Sequence, residues 1–272
     1  KNISSFLDKI EFYNENIEGF NFSKIDKADV VIHLAAQASV PLSIKNFEES
    51  STSNIIGTIR VINFCKSNKI PLVYASSSAI YGDLDLGNDC KDNFDILSPY
   101  SADKYLMEVY SDVAFKNFEL SSIGLRFFNV YGPKQDPHSP YSGVISIFIE
   151  KHLKKDSIVI FGGHQTRDFI YVKDVVNCIC KSVDTVLQKK ICETINVLTG
   201  KSITINYLAD KISEICKFKA EKNYLDLPPG DPEKSEGSTE KMSTLLKMDP
   251  SSFINIDNGL ENTISFIRKD TQ

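Results

Sequence analysis

Tyr100-Ser101-Ala102-Asp103-Lys104, preceded by Ser76-Ser77-Ser78 at the end of an apolar run, brings a phenol, an ammonium group and hydroxyls into one region of the chain. If Tyr100 opens a helix, the phenol and the ammonium stand four residues apart on one face. A phenol titrates near pH ~10, so drawing it to neutrality takes about three units, or roughly 4 kcal/mol of preference for the phenolate. A neighbouring cation in a poorly solvated place is the natural source, and Lys104 is expected to lower the Tyr100 pKa. With a serine hydroxyl on the reacting oxygen, such a set moves a proton on or off an alcohol while hydride leaves or joins its carbon.

These groups need elements to hold them. Ile70 to Ala75 reads as a buried strand ending in small hydroxyl residues, and ligands of open α/β sheets sit beyond strand carboxyl ends. Ser98-Pro99 supplies a hydroxyl cap and a first-turn proline for a helix running from Tyr100 to about Asn117. Earlier strands are expected at Lys9 to Tyr13 and Asp29 to Leu34, with a helix over Ser53 to Asn68 whose Ile55, Ile59, Ile62 and Cys65 keep helical spacing. A fourth strand follows at Ser122 to Val130. Beyond the turn chemistry of Gly132 to Pro137 come a helix at Val144 to Lys154, Arg167 to Val172 leading into a helix around Val175 to Val186, and a strand at Glu193 to Leu198. Pro228-Pro229-Gly230-Asp231-Pro232 opens the last segment, with helices near Thr239 to Lys247 and Gly259 to Arg268. The fold class is α/β: a doubly wound parallel sheet, Rossmann-like, with a smaller C-terminal α+β lobe. The domain expectation is 1–130 for the nucleotide-binding part, returning at about 168–200, with 131–167 and 201–272 forming the substrate lobe.

Composition narrows the function classes. The chain has 272 residues, 42% hydrophobic and 25% charged, with a net charge of -5 that argues against a broad nucleic-acid surface. Its apolar runs are short and strand-like, so no membrane segment is expected, and the cytoplasm is the expected location. Cys65, Cys90, Cys178, Cys180, Cys192 and Cys216 are scattered, as reduced thiols are, and neither they nor the four histidines have metal-site spacing. No metal is expected.

One string is missing. A dinucleotide-binding sheet usually starts with a strand, a glycine-rich turn and a helix that holds the pyrophosphate, yet no G-x-x-G-x-x-G or G-x-G-x-x-G occurs, and the first glycine is Gly19. The expectation is that the chain belongs to a longer gene product or has lost that phosphate grip.

Six strings carry a resemblance: His33-Leu34-Ala35-Ala36-Gln37-Ala38, Asn54-Ile55-Ile56-Gly57-Thr58, Ser76 to Gly82, Tyr100-x-x-x-Lys104, Arg126 to Pro133, and Gln165 to Val172. Together they resemble the extended short-chain dehydrogenase/reductases of the nucleotide-sugar 4-epimerase group. The resemblance implies NAD as cofactor, with Ser77 as the catalytic hydroxyl, Tyr100 as base and acid, and Lys104 binding the nicotinamide ribose. It further implies cofactor contacts at Asn16, Ile17, Leu34, Ala35, Ala36, Gln37, Asn54, Ala75, Ser76 and Phe127. Asn16 departs from the family's usual aspartate, and Phe127 stands where tyrosine is common. Implied substrate contacts are Ser77, Ser78, Asn129, Gln135, Val144, Arg167, Asp231 and Ser235, with Pro228 and Pro229 where an arginine is often found. Structural alternatives stand beside these roles: Ala35 and Ala36 as small residues under a helix, Asn54 as a helix cap, Arg167-Asp168 as a surface ion pair, and His33 as a satisfied strand-end residue.

The residues after Ser77 separate the chemistries. Related dehydratases and decarboxylases carry a carboxyl group there, whereas this chain has Ser78 and Ala79, so C4 epimerisation of a UDP-hexose through a 4-keto sugar is expected. Ser235, where glucose-restricted relatives often carry tyrosine, leaves room for a 2-N-acetyl group, so UDP-N-acetylglucosamine stands beside UDP-glucose. The alternatives are a UDP-glucuronate 4-epimerase, a nucleotide-sugar reductase and a non-catalytic sugar-nucleotide-binding remnant. The resemblance also implies a homodimer through the helices at Ser53 to Asn68 and Tyr100 to Asn117.

Overall fold

The computed structural model describes residues 2–139, 141–228 and 231–270. Pro229 and Gly230, named above, lie outside them. In chain order the strands are β1 (Val31–His33), β2 (Leu72–Ser77), β3 (Ser122–Phe127), β4 (Asn129–Tyr131), β5 (Ile158–Phe161), β6 (Thr166–Tyr171), β7 (Cys192–Val197), β8 (Ser202–Thr204) and β9 (Lys222–Leu225). The α-helices are α1 (Val40–Lys45), α2 (Phe47–Ser51), α3 (Gly57–Asn68), α4 (Pro99–Phe118), α5 (Val144–Lys154), α6 (Val172–Gln188), α7 (Ile205–Cys216), α8 (Glu240–Leu245) and α9 (Ile256–Asp270).

The main sheet is parallel throughout, ordered β1-β2-β3-β7, and both its faces are covered. Successive side chains of a strand point to opposite faces, and β2 shows the consequence. Leu72 and Tyr74 pack with Val61, Cys65, Met107 and Ala114 of α3 and α4, while Val73 packs with Val175, Cys178 and Met242 of α6 and α8. A sheet covered on both faces needs apolar strands, and all six residues of β2 are buried. The second lobe has its own core, where Ile145, Phe148, Ile149, Leu208, Ile212, Leu260 and Ile264 of α5, α7 and α9 meet β5 and β6. The smaller sheets are β4-β6-β8 and β5-β9.

Three expectations change. Lys9 to Tyr13 is exposed coil, with no described strand beside it to complete a hydrogen-bonded ladder. Ser122 to Val130 is two strands: Phe128 turns into a cluster with Ile80, Tyr81 and Leu198, and the chain then leaves the main sheet to pair with β6. The helix expected at Ser53 begins as a π turn over Thr52–Ile56, preceded by α1 and α2, which were not anticipated; neither were α7, β5, β8 and β9.

α4 is fastened to the sheet by a buried polar network. Glu108 accepts two bonds from Arg126 of β3, at 2.9 Å from Nε and 2.7 Å from Nη2, and one from the Ser76 hydroxyl. Arg126 also donates to the Tyr81 hydroxyl at 2.7 Å, which donates to Asn196 Oδ1 at 2.7 Å. The network thus joins β2, β3, β7 and α4 beneath the strand ends. Arg126→Met would leave the Glu108 carboxylate buried without its cation, and a loss of about 3–5 kcal/mol in chemical denaturation is expected. A loss under about 1 kcal/mol, the worth of an exposed pair, would show the network to be dispensable.

Candidate active site

β2 ends at Ser77, whose Oγ accepts from the Ala79 amide at 3.1 Å as the chain turns into a short 3-10 helix, Ser78–Tyr81. α4 arrives from the side. Ser98 caps it, accepting from the Ser101 amide at 3.2 Å while the Ser101 hydroxyl accepts from the Ser98 amide at 3.0 Å, and Pro99 fills the first turn. The Tyr100 amide donates to the Ser43 hydroxyl of α1 at 3.2 Å, so the first turn is also held from outside. Tyr100 and Lys104 share the buried face, with Nζ 5.8 Å from the ring centre, and the Ser77 hydroxyl lies beside the phenol. The three groups expected from the sequence therefore meet at the carboxyl end of a central strand.

Their electrostatics differ from expectation. Burial pushes the Tyr100 phenol above its ordinary value; the Ser77 hydrogen bond draws it down, and the Asp103 carboxylate pushes it up. Burial outweighs any acidifying effect of Lys104, whose ammonium donates to the Ala75 carbonyl at 2.7 Å and is itself starved of solvent. Burial brings Lys104 down to about 8, partly countered by Asp103. His33, at the end of β1, is pushed down to about 4 by burial and by Lys104, and its Nε2 lies 3.1 Å from the Thr58 hydroxyl, a satisfied strand-end histidine.

Two cavities adjoin at this edge of the sheet, of about 1020 and 1080 Å³. The first is bordered by Ser77, Tyr100 and Lys104, by Leu34, Ala36, Ala75 and Ser76, and by Ser78 and Phe127. Its far side, from the second lobe and the strand ends, carries Asn129, Gln135, Val144, Arg167, Asp231 and Ser235. The second is bordered by Asn16, Ile17, Ala35 and Gln37, and Ala36 and Tyr141 lie on both.

Two expected contacts do other work. Asn54 borders neither cavity and is not a helix cap: its side chain is buried, accepting from the Gln37 amide at 2.8 Å and donating to the Gln37 carbonyl at 3.1 Å and to Asp103 at 3.0 Å. The Ser76 hydroxyl is committed to Glu108. Arg167 and Asp168 are not a pair. Arg167 Nη2 meets Asp231 Oδ1 at 2.5 Å on the cavity wall, while Asp168 is buried and accepts from the Thr199 amide and hydroxyl and from the Lys201 amide. Asn129 donates to the Asp168 carbonyl at 3.2 Å. Sequence reasoning missed Ser43, Asp103 and the Glu108–Arg126 pair; the one available signal was that Asp103 and Glu108 fall on the same helical face as Tyr100 and Lys104, where an unpaired carboxylate would be costly.

The arrangement is that of known proteins. Residues 13–197 match the NAD dependent epimerase/dehydratase family. The chain is 29% identical to the UDP-glucose 4-epimerase of Mycolicibacterium smegmatis over 275 residues, covering 95% of this chain and 86% of that one. The UDP-N-acetylglucosamine 4-epimerase of Methanobrevibacter ruminantium, solved in complex with UDP-N-acetylmuramic acid, superposes with a TM-score of 0.88 at 34% identity, covering 95% of this chain and 83% of that one. The UDP-glucuronic acid 4-epimerase of Bacillus cereus, solved with UDP-glucuronic acid and NAD, superposes at 0.89 and 32% identity, covering 98% and 85%. A parallel sheet carrying a serine, a tyrosine and a lysine at its carboxyl edge, two adjoining cavities and these likenesses lead to one assignment: the chain belongs to the NAD dependent epimerase/dehydratase family, among its nucleotide-sugar epimerases.

Proposed function

We propose that this chain inverts C4 of UDP-hexoses, interconverting UDP-glucose with UDP-galactose or UDP-N-acetylglucosamine with UDP-N-acetylgalactosamine. The observation that carries the proposal is the meeting of Ser77, Tyr100 and Lys104 at the cavity wall, with Ser78 and Ala79 bringing no carboxyl group beside them.

The residues present fit NAD. Two adjoining cavities of about 1000 Å³ each have room for a dinucleotide and a sugar nucleotide side by side. Lys104 and Tyr100 would hold the nicotinamide end, Leu34 to Gln37 the middle, and Asn16 and Ile17 the adenine end. When bound, NAD accepts hydride from the sugar carbon and returns it. The chain's own residues handle the proton: Tyr100 takes it from the 4-hydroxyl and gives it back, while Ser77 hydrogen-bonds the reacting oxygen. Burial holds the free phenol above its ordinary pKa, and positive charge brought into the site on loading would lower it.

The substrate side has matching chemistry. Arg167, bonded to Asp231, offers the pyrophosphate a cation, and a nucleoside hydroxyl can take up the Asp231 carboxylate. Gln135 Oε1 is buried without a hydrogen-bond partner on the cavity wall, an acceptor suited to a sugar hydroxyl or amide N–H. Ser235 borders the same cavity with a small side chain, which favours the N-acetylated sugar. Gln135, Arg167, Asp231 and Ser235 all fall within the substrate lobe we assign to residues 131–167 and 201–272, of which α8 packs on the main sheet instead.

Purified protein incubated with NAD and each UDP-sugar should yield the C4-inverted product by chromatography, and Tyr100→Phe should lower kcat by about 10²–10⁴. No inverted product from UDP-glucose, UDP-N-acetylglucosamine or UDP-glucuronate would refute the proposal. Ser235→Tyr is expected to depress turnover of the N-acetylated sugar selectively; equal losses on both sugars would remove its role in specificity. We further propose a homodimer through α3 and α4, supported by the exposed Val109, Tyr110 and Val113 on α4. Light scattering should give twice 30.5 kDa, and Val109→Glu with Val113→Glu should give monomer; a monomeric parent chain would exclude this interface.

A further inference from the structure

His152 is 1% exposed, in the core of the second lobe, and borders neither cavity. It stands in the last turn of α5, where Phe218 meets its ring edge-on at 6.3 Å between centres. Both ring nitrogens are bonded. Nδ1 lies 2.7 Å from the Phe148 carbonyl, one turn back on α5, and Nε2 lies 2.8 Å from the Ser213 hydroxyl of α7. That hydroxyl lies 2.9 Å from the Ala209 carbonyl, one turn back on its own helix.

These three contacts need more protons than a neutral ring and a hydroxyl supply. A carbonyl oxygen only accepts, so Nδ1 must carry a proton to bond Phe148. For the same reason the bond to Ala209 uses the hydroxyl proton of Ser213, and a hydroxyl has one. With that proton on Ala209, only a protonated Nε2 can bond Ser213, and the ring is an imidazolium. With the ring neutral, Nε2 is a lone pair, and the hydroxyl must turn from Ala209 to reach it. The charged ring therefore makes all three contacts at once and the neutral ring makes two. Neither state leaves a ring nitrogen without a partner, the condition that a buried polar group must meet. Ala209 loses little, because it lies inside α7 and its carbonyl is served by the helix ladder in both states.

We propose that His152 and Ser213 form a proton-operated clasp between α5 and α7. With the ring neutral, the Ser213 hydroxyl donates to Nε2; when Nε2 takes a proton from solvent, it donates to Ser213 and the hydroxyl turns to Ala209. One proton is gained and the hydroxyl keeps its own. α5 begins with Val144 and Ile145 on the first cavity, so the clasp holds the other end of a helix that carries part of the cavity wall. It does not depend on the epimerase proposal.

The surrounding charges favour the neutral ring at physiological pH. Among the described residues no carboxylate bonds it. β9 presents Lys222, held by Asp210 of α7 at 2.7 Å. On α5, Glu150 meets Lys154 and His138, and Lys151 meets Asp156; Lys211 of α7 lies 3.4 Å from both Glu214 and Asp257 of α9. Lys155, Lys217, Lys219 and Glu221 lie in the connections, Glu261 and Arg268 on α9, and β5 brings no titratable group. Burial holds the ring below its ordinary value, the Phe148 bond works against this, and Lys222 adds to it. The stability given by a buried neutral ring is complete above pH about 6.5 and is lost as the pH falls toward the lowered midpoint.

The test is an NMR titration of the intact protein labelled with 15N at histidine, the His152 ring being assigned through its backbone signals. At neutral pH Nδ1 should carry the proton and Nε2 should be bare, with a protonation midpoint below about 6.5. A neutral ring with its proton on Nε2, or a midpoint at or above about 6.5, overturns the clasp. Ser213→Ala takes a charge-assisted acceptor from the imidazolium, so its midpoint should fall by about half a unit or more below the parent's. Ser213→Thr, which keeps the hydroxyl, should hold the parent value. Equal midpoints in parent and Ser213→Ala refute the role of Ser213. Urea denaturation across about pH 5–7.5 gives a second reading: acid should lower the parent's midpoint more steeply than that of His152→Gln, and parallel curves rule the device out. Ser213→Ala carries the same comparison should His152→Gln not fold, since its curve is expected to be steeper than the parent's, and a shallower one counts against the clasp.

Discussion

A lysine ammonium buried at the carboxyl edge of a parallel sheet is the constraint from which the rest of this site follows. Removing such a charge from water is expensive, and the chain offsets the cost with one carbonyl, Ala75, and one neighbouring carboxylate, Asp103. Both must be in register. The carbonyl stands where it does because β2 runs between β1 and β3, and the carboxylate because α4 is capped at Ser98 and clamped through Glu108 to Arg126. Tyr100 shares that dry environment, which explains why its phenol is less acidic in the free protein than the proximity of a cation suggests. Proximity alone does not lower a pKa; the charge must outweigh the lost solvation.

What could be read from the sequence was local. Ser98-Pro99 announced the start of α4, Val144–Lys154 was delimited to the residue by its apolar pattern, and the Ser77, Tyr100 and Lys104 set was recognisable because two of its members share a helical turn and the third ends a hydrophobic run. What stayed hidden spans distance along the chain. Asn54 reaches Gln37 and Asp103, 17 and 49 residues away, and Arg167 reaches Asp231 across 64 residues, whereas the sequence offers only the adjacent Asp168 as an alternative partner. The π turn had no signature, since apolar spacing over Ile55, Ile59 and Ile62 fits a plain helix equally well. Lys9 to Tyr13 failed for the converse reason: an apolar alternation was present, but a strand exists only beside another strand.

The two lobes divide the work. The sheet and its helices carry Ser77, Tyr100 and Lys104, and the second lobe closes the cavity with residues whose positions depend on its own core. Beside the cavity, Lys234 with Asp85 at 2.7 Å ties the second lobe to the segment after β2, and Arg167 with Asp231 ties two segments of the second lobe together. A ligand that took up Arg167 and Asp231 would replace an interaction between the chain's own segments.

The short bridge between Gly87 and Gly237 bears on how the molecule comes into being. There the amide of Gly87 meets the Glu236 carbonyl at 2.8 Å, the Ser238 amide meets the Gly87 carbonyl at 2.9 Å, and Asn196 bonds both Gly87 and Ser238. Contacts of such separation are slow to form, because the intervening chain must first be brought to heel against its own entropy. During synthesis the segment after β2 waits, unclosed, for residues some 150 positions later to leave the ribosome. This wall of the cavity is therefore among the last parts of the protein to be built, and a nascent chain arrested before that point would carry Ser77, Tyr100 and Lys104 without it.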